Sequence, residues 1–570
     1  MRALAFLFFA AWSGLVAMAQ QASAVDAPSD AARAITAWVE AYDRGQLGPK
    51  GRLRSGERFQ PAYVAFARSA GAITEADEER ISHLDALNKL LWYATKRATA
   101  ADTEALLALA AAGLESSFLD PMSLELRELG HTTLLGIEDQ RVWFHLLRAA
   151  AGDRLPIFGE VVGVDRGESP LLVGSARRVA ALRLLGAKDL AVFRVTLEAA
   201  LSDQDPRVRL AAAEAFTMRP RADLLPRVQA AIATERHAVV AQSLVHLLGV
   251  LLRDEALDAP TRADAVAAAL QRFGRTGWRT DMELLDLVEN WPHRDAVPVL
   301  ISALDLVVRA PDALTAAINK RASPILRDRA AALLRAMTGA IFPADDVKAW
   351  QEFWSREGER VVVPRSLRRE QEGTTRATFF GVPVTGSSVA FVIDTSGSMD
   401  ERPAGAVPSA DRRSRADTRL RAAKEQLVAA VQAMPAESQF VVVTFADRAH
   451  VWTDTPVHPG PAAMRSLTEL TSKLKAFGGT NLFDGLSTGL FLRDQRYGDV
   501  QTQRLDEVFV LSDGEPTTGE VRDPEELLRI VRETNKYARV RINTVYTGVG
   551  EGPELLRRLA EESGGVFVQR

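Results

Sequence analysis

The sequence predicts a multidomain chain in which an all-α helical body precedes an α/β domain built on a mostly parallel central sheet. Three observations carry this prediction. From about residue 30 to residue 354 the chain is rich in Ala, Leu and Arg at helical spacing, with Pro and Gly marking short turns. At Ser388 the pattern changes to continuous apolar runs such as Val389–Ile393, which suit a strand buried on both faces of a parallel sheet. Those runs then alternate with helical stretches through the C-terminal third.

Composition bounds the reading. The 570 residues suggest roughly three or four domains. With 47% hydrophobic and 25% charged residues, the chain is a soluble globular protein with more than one core. This excludes collagen-like, wholly disordered and multi-span membrane proteins. A net charge of −4 argues against a nucleic-acid partner, since dedicated binders carry a strongly basic domain. Cysteine is absent, so disulfides, thiolate metal centres and thiol nucleophiles are excluded. Any metal must be held by oxygen or imidazole.

Residues 1–24 read as a signal peptide. Arg2 precedes an apolar run from Ala3 to Ala17, and Ala17-Met18-Ala19 or Ala22-Ser23-Ala24 offers a cleavage site. The expected location is therefore exported, periplasmic or secreted, with an uncleaved N-terminal anchor as the alternative. No later segment has the roughly 18 uncharged apolar residues of a spanning helix, so no membrane span is expected in the mature chain.

Residues 25–169 form a helical N-terminal region, with Leu84, Leu87, Leu90 and Leu91 at helical spacing and Trp38, Trp92 and Trp143 expected in the core. Over 170–355 the segments become self-similar. Ala180-Ala181 matches Ala211-Ala212 31 residues later, Val239-Val240 falls near the same period from Val208, and Ala330-Ala331 is a further copy. Between helices, Asp205 is placed to cap and Pro206 to begin the next helix. The stretch Leu201–Arg209 resembles the turn of a HEAT-type repeat. That resemblance implies a HEAT-like α-solenoid of stacked helix pairs. Trp350, Phe353 and Trp354 read as a closing helix. Residues 356–387 read as a linker, with Gly358, Pro364, the basic cluster Arg365, Arg368 and Arg369, then Gly373, Gly381 and Pro383, and an edge strand at Thr378–Phe380.

Over 388–570 further strands are expected at 440–445, 507–511, 541–546 and 566–568, and helices at 418–434, 461–474, 484–493, 524–536 and 553–562. Ligands of such sheets bind beyond the carboxyl ends of the strands. There the chain places Asp394-Thr395-Ser396-Gly397-Ser398-Met399, then Gly478-Gly479-Thr480-Asn481, then Ser512-Asp513-Gly514. The first stretch puts one carboxylate, Asp394, and two hydroxyls, Ser396 and Ser398, on one tight loop. Asn481 and Asp484 are expected to cap the helix that follows.

These motifs resemble the von Willebrand factor type A (VWA) domain and its metal-ion-dependent adhesion site (MIDAS), over about 388–570. The resemblance implies a Rossmann-like fold and a bound divalent cation, Mg²⁺ with Mn²⁺ or Ca²⁺ as alternatives. It implies that Ser396 and Ser398 are ligands, that Thr480 is a ligand in the partner-engaged state, and that Asp394 and Asp513 hold the site and its waters. The open position would take an Asp or Glu carboxylate from a partner protein. Two departures stand out. The loop from Asp400 to Asp417 is long and carries Arg402, Arg412, Arg413 and Arg415, which either favour an acidic partner or form a solvated surface. Arg570 follows the last expected strand at once, so the family's final packing helix is expected to be missing or supplied from elsewhere.

The reading is a non-enzymatic, exported adhesion or scaffold protein. Its alternatives are a hydrolase with an unrecognised active site in the helical half, and a VWA subunit of a larger complex such as a chelatase. H-E-x-x-H, G-x-S-x-G and P-loop motifs are absent, and the eight histidines, His131, His145, His450 and His458 among them, are scattered.

Overall fold

The computed structural model describes residues 36, 39, 99, 102–115, 118, 120–152, 174–188, 193–304, 324–364, 367, 377–402, 418–436, 438–490, 496–498, 505–549 and 553–570. The signal segment, Trp38, Trp92, the basic cluster at 365, 368 and 369, and Arg412, Arg413 and Arg415 lie outside the described residues. The chain divides into two compact units, residues 1–256 with 494–499, and residues 257–493 with 500–570.

The described elements of the first unit are helices. Its described helices are α1 (Thr103–Ala110), α2 (Pro121–Gly136), α3 (Gln140–Ala151), α4 (Ser175–Lys188), α5 (Arg194–Ala200), α6 (Pro206–Met218), α7 (Leu225–Thr234) and α8 (Ala238–Leu251). Helix α6 starts as expected: Asp205 caps it by accepting from Arg207 N–H at 2.9 Å, and Pro206 occupies its first turn. Helix α4 packs on α3 and α6, and α6 on α8. The self-similar positions Ala180, Ala181, Ala211, Ala212, Val239 and Val240 are all buried. Small residues permit close approach, since a Cβ on Gly186 of α4 would strike Ala215 of α6.

The tertiary contacts repeat as well. Arg178 of α4 pairs with Asp203 at 2.6 Å, and Asp203 accepts from Asp205 N–H at the start of α6. One period later, Arg209 of α6 pairs with Glu235 at 2.7 Å, and Glu235 accepts from His237 N–H at the start of α8. Each buried carboxylate thus ties one helix to the cap of the helix stacked on it. Tyr497, from the 494–499 segment, completes this unit by donating its hydroxyl to Glu214 at 2.8 Å and its N–H to the Leu114 carbonyl at 3.0 Å.

The second unit opens with α9 (Ala259–Leu270), α10 (Trp278–Asn290), α11 (Ala296–Leu304), α12 (Pro324–Thr338) and α13 (Val347–Glu357). Trp350 of α13 is fully buried, its ring 5.1 Å from that of Phe342 and its indole N–H on the Pro343 carbonyl at 3.1 Å. The strands are β1 (Thr378–Phe379), β2 (Val382–Pro383), β3 (Ser388–Asp394), β4 (Gln439–Phe445), β5 (Ala449–Val451), β6 (Glu507–Ser512), β7 (Arg541–Tyr546) and β8 (Phe567–Gln569). Between them lie α14 (Arg419–Ala433), α15 (Pro461–Lys473), α16 (Leu482–Gly489), α17 (Pro524–Ala538) and α18 (Glu554–Ser563). The six-stranded sheet has the order β5-β4-β3-β6-β7-β8, parallel throughout except for β5.

Alternation along β3 explains the layers. Val389, Phe391 and Ile393 join a core with Leu420, Ala423 and Leu427 of α14. Val392 points the other way, where a Cβ on Gly489 of α16 would strike it. Two details differ from the sequence reading. The short antiparallel edge β5 has no apolar run to announce it. The expected edge strand at 378–380 is half of a separate hairpin, turned by the left-handed Phe380 and Gly381. The hairpin's Phe379 stands 5.3 Å from the Phe391 ring and is buried in the sheet core, so the end of the linker belongs to the α/β domain.

Candidate metal-binding site

Strand β3 ends at Asp394 and β6 at Ser512, and their parallel pairing brings both loops to the same end of the sheet. Asp394 is completely buried. Its Oδ1 accepts from Ser396 N–H at 2.7 Å and its Oδ2 from the Ser512 hydroxyl at 2.6 Å. Burial pushes this carboxyl up to about 6, against the pull of the Ser512 and Ser396 hydrogen bonds, with the nearby Asp513 charge adding to the rise. Ser396 and Ser398 face each other, hydroxyl to hydroxyl, at 3.2 Å. Ser398 donates to Asp513 Oδ1 at 2.9 Å. Four of the five expected residues are therefore joined by hydrogen bonds.

Thr480 comes in on the adjacent loop. The Gly478 carbonyl accepts from Gly397 N–H at 3.0 Å, and Phe477 N–H donates to the Thr395 carbonyl at 2.9 Å, which lays the two loops side by side. Thr480 is buried, and its N–H donates to the Thr517 hydroxyl at 2.8 Å. Asn481 caps α16, as expected, by accepting from Asp484 N–H at 3.1 Å. Asp484 itself reaches across to accept from Ala449 N–H at 2.6 Å, at the start of β5.

Three contributors were missed from sequence. Ser512 could have been noticed as a hydroxyl at the end of an apolar run. Asp447, just after β4, holds the glycine loop by accepting from Gly479 N–H at 2.9 Å. Arg419, the first residue of α14, donates to Asp513 Oδ2 at 2.8 Å, both side chains being almost fully buried. Nothing in a helical pattern says that its first residue turns inward onto a carboxylate 94 positions away.

Among the described residues there is no cluster of three or more His, Asp or Glu able to hold a metal. The set at the carboxyl end of the sheet's central strands has two carboxylates, and its other donors are hydroxyls, which suits a hard cation.

A family model described as the von Willebrand factor type A domain matches residues 389–515. The chain carries a VWA domain in its C-terminal third. Its relatives include inter alpha-trypsin inhibitor, heavy chain 4 of Mus musculus, 24% identical over 193 residues, or 32% of this chain and 18% of that protein. Inter-alpha-trypsin inhibitor heavy chain H3 of Rattus norvegicus is 29% identical over 154 residues, 27% of this chain and 15% of that protein. The chain thus spans less than a fifth of the length of these relatives. Among solved structures, a von Willebrand factor type A protein from Catenulispora acidiphila is 22% identical and covers 32% of this chain and 38% of its own, with a TM-score of 0.24.

Proposed function

We propose that this protein is an exported, non-enzymatic binding protein whose VWA domain grips an Asp or Glu carboxylate of a partner protein through a divalent cation. The observation that carries this reading is the hydrogen-bonded set of Asp394, Ser396, Ser398 and Asp513 at the carboxyl end of the sheet. The hydroxyls of Ser396, Ser398 and Thr480 would ligate the cation, while the carboxylates of Asp394 and Asp513 balance its charge. Mg²⁺ is the proposed occupant, with Mn²⁺ or Ca²⁺ as alternatives of the same hard character. A cation so held supplies a point of attraction for a carboxylate from outside. Residues 170–355, read as HEAT-like repeats, are proposed to contribute further binding surface. Residues 1–24 serve as the export signal. No helix among the described residues is long and apolar enough to cross a membrane.

The test is capture of partners by the purified full chain with Mg²⁺ or with EDTA, using wild type and Asp394→Ala. The expected result is a protein retained by wild type with Mg²⁺ and lost in the other three conditions. Equal retention in all four refutes cation-gated binding.

A further inference from the structure

We infer that Arg419 is a built-in counter-cation of the site, a positioning residue that neutralises Asp513 from within and thereby weakens the hold on a divalent cation. The inference rests on the metal-site reading above and concerns how tightly that site binds.

The geometry is specific. Arg419 follows the N-cap Thr418, and its main-chain N–H donates to the Glu401 carbonyl at 2.9 Å, closing the long loop behind Met399. Its Nη1 donates to Asp513 Oδ2 at 2.8 Å and to the Ser398 carbonyl at 3.2 Å. The side chains of Arg419 and Asp513 are 4% and 1% exposed, so water screens their attraction little. The Glu401 carboxylate, 3.3 Å from the same nitrogen, is 67% exposed and counts for less.

The consequence is electrostatic. Asp394 and Asp513 together carry two negative charges when ionised, and Arg419 removes one of them from the balance. Guanidinium and divalent cation thus compete for Asp513. Asp513 has a charged partner before any metal arrives, and an entering cation meets a fixed positive charge one carboxylate away. Removing that charge while keeping a hydrogen-bond donor leaves both carboxylates to the metal.

Arg419→Gln keeps a donor toward Asp513 without the charge, and Arg419→Lys keeps the charge. Mn²⁺ is titrated into each full-length protein by calorimetry, and thermal midpoints are read with Mn²⁺ and with EDTA. Arg419→Gln is expected to bind Mn²⁺ at least about tenfold more tightly than wild type. Arg419→Lys is expected to stay within about threefold of wild type. The gap between midpoints with and without Mn²⁺ should widen in Arg419→Gln, because the metal then takes over the role of the guanidinium. If Arg419→Gln does not fold under either condition, Arg419→Met, of similar length, is measured in its place. Unchanged or weaker Mn²⁺ binding by the uncharged variant, with wild type binding normally, overturns the inference and leaves the metal site standing. Absence of binding by wild type and both variants overturns the metal site itself, and the inference with it.

Discussion

The guanidinium of Arg279 donates to the carbonyl of Ala538 at 2.6 Å, joining α10 to the C-terminal end of α17. A second arm reaches the Leu505 carbonyl at 3.0 Å, just before β6. Arg539, in a left-handed conformation, returns the contact by pairing with Glu283 at 2.8 Å and Asp286 at 2.6 Å. Helix α10 and the base of the α/β domain are thereby fixed by charges within one unit.

Replacing Arg279 by Met leaves two carbonyls without that donor and removes the cation beside the buried Asp506. The expected cost is about 2–4 kcal/mol. Urea unfolding followed by tryptophan fluorescence checks it, since α10 carries Trp278. A midpoint unchanged from wild type would show that the α10 contact contributes nothing.

Asp281 of α10 is buried, and burial raises its carboxyl to about 7, against the hydrogen bond it accepts from Gly274 N–H at 2.8 Å. The folded state therefore holds this proton more tightly than the unfolded chain, whose value is near 3.8. Stability from this group is full below the unfolded value, declines as pH rises through the folded one, and is level above about 7. Asp281→Asn keeps the acceptor and removes the titration. Its thermal midpoint relative to wild type should rise between pH 5 and pH 8, by an amount worth a few kcal/mol at most. A constant difference across that range counts against the assignment.

The repeated ion pairs predict equal penalties. Burial alone would raise the Glu235 carboxyl, but Arg209 and the His237 N–H hold it below its ordinary value. This pair therefore contributes stability above the unfolded value of 4.5, which is lost as pH falls through the lower folded value. Arg209→Ala should cost about 2–4 kcal/mol at neutral pH, because it strands a buried carboxylate. Arg178→Ala, which strands Asp203, should cost the same within about 1 kcal/mol. Guanidinium chloride melts of the two variants compare them directly, and a wide disparity would show that the two junctions are not equivalent.

Gly478 sits at φ 75° with Asp447 where a Cβ would stand. Gly478→Ala should cost about 1–2 kcal/mol from left-handed strain, and more if Asp447 is displaced from Gly479. The loop carrying Thr480 loses its anchor on Gly397, so Mn²⁺ affinity should fall with the thermal midpoint. Lost stability with unchanged affinity would separate Thr480 from the metal.

Much of the α/β domain was legible because the central parallel strands β3, β4 and β6 carry long apolar runs and each helix has punctuation at its start. Asp523 caps α17 by accepting from Glu526 N–H at 2.9 Å, with Pro524 in its first turn, and the expected start at 524 is the observed one. Strand β5 was illegible for the opposite reason: two half-buried residues flanking the exposed His450 at a sheet edge carry no hydrophobic pattern. The hairpin at 378–383 was readable only in part, since the sequence marks a turn at Gly381 but not that Phe379 lands on Phe391.

By itself the sequence determined the order of helical body and α/β domain, the period of the helical segments, and the five oxygen-bearing residues on three loops. Those features are local, because periodicity, capping and strand-end loops depend on neighbours in the chain. Only the tertiary structure decided that Asp203 and Glu235 repeat as junctions, that Arg279 anchors the sheet's base, and that Arg419 lies on Asp513. Each of these joins charges that are remote in sequence or placed in side-chain directions no local pattern encodes. Burial then makes such pairings strong, because the low dielectric that strengthens a paired charge also penalises an unpaired one.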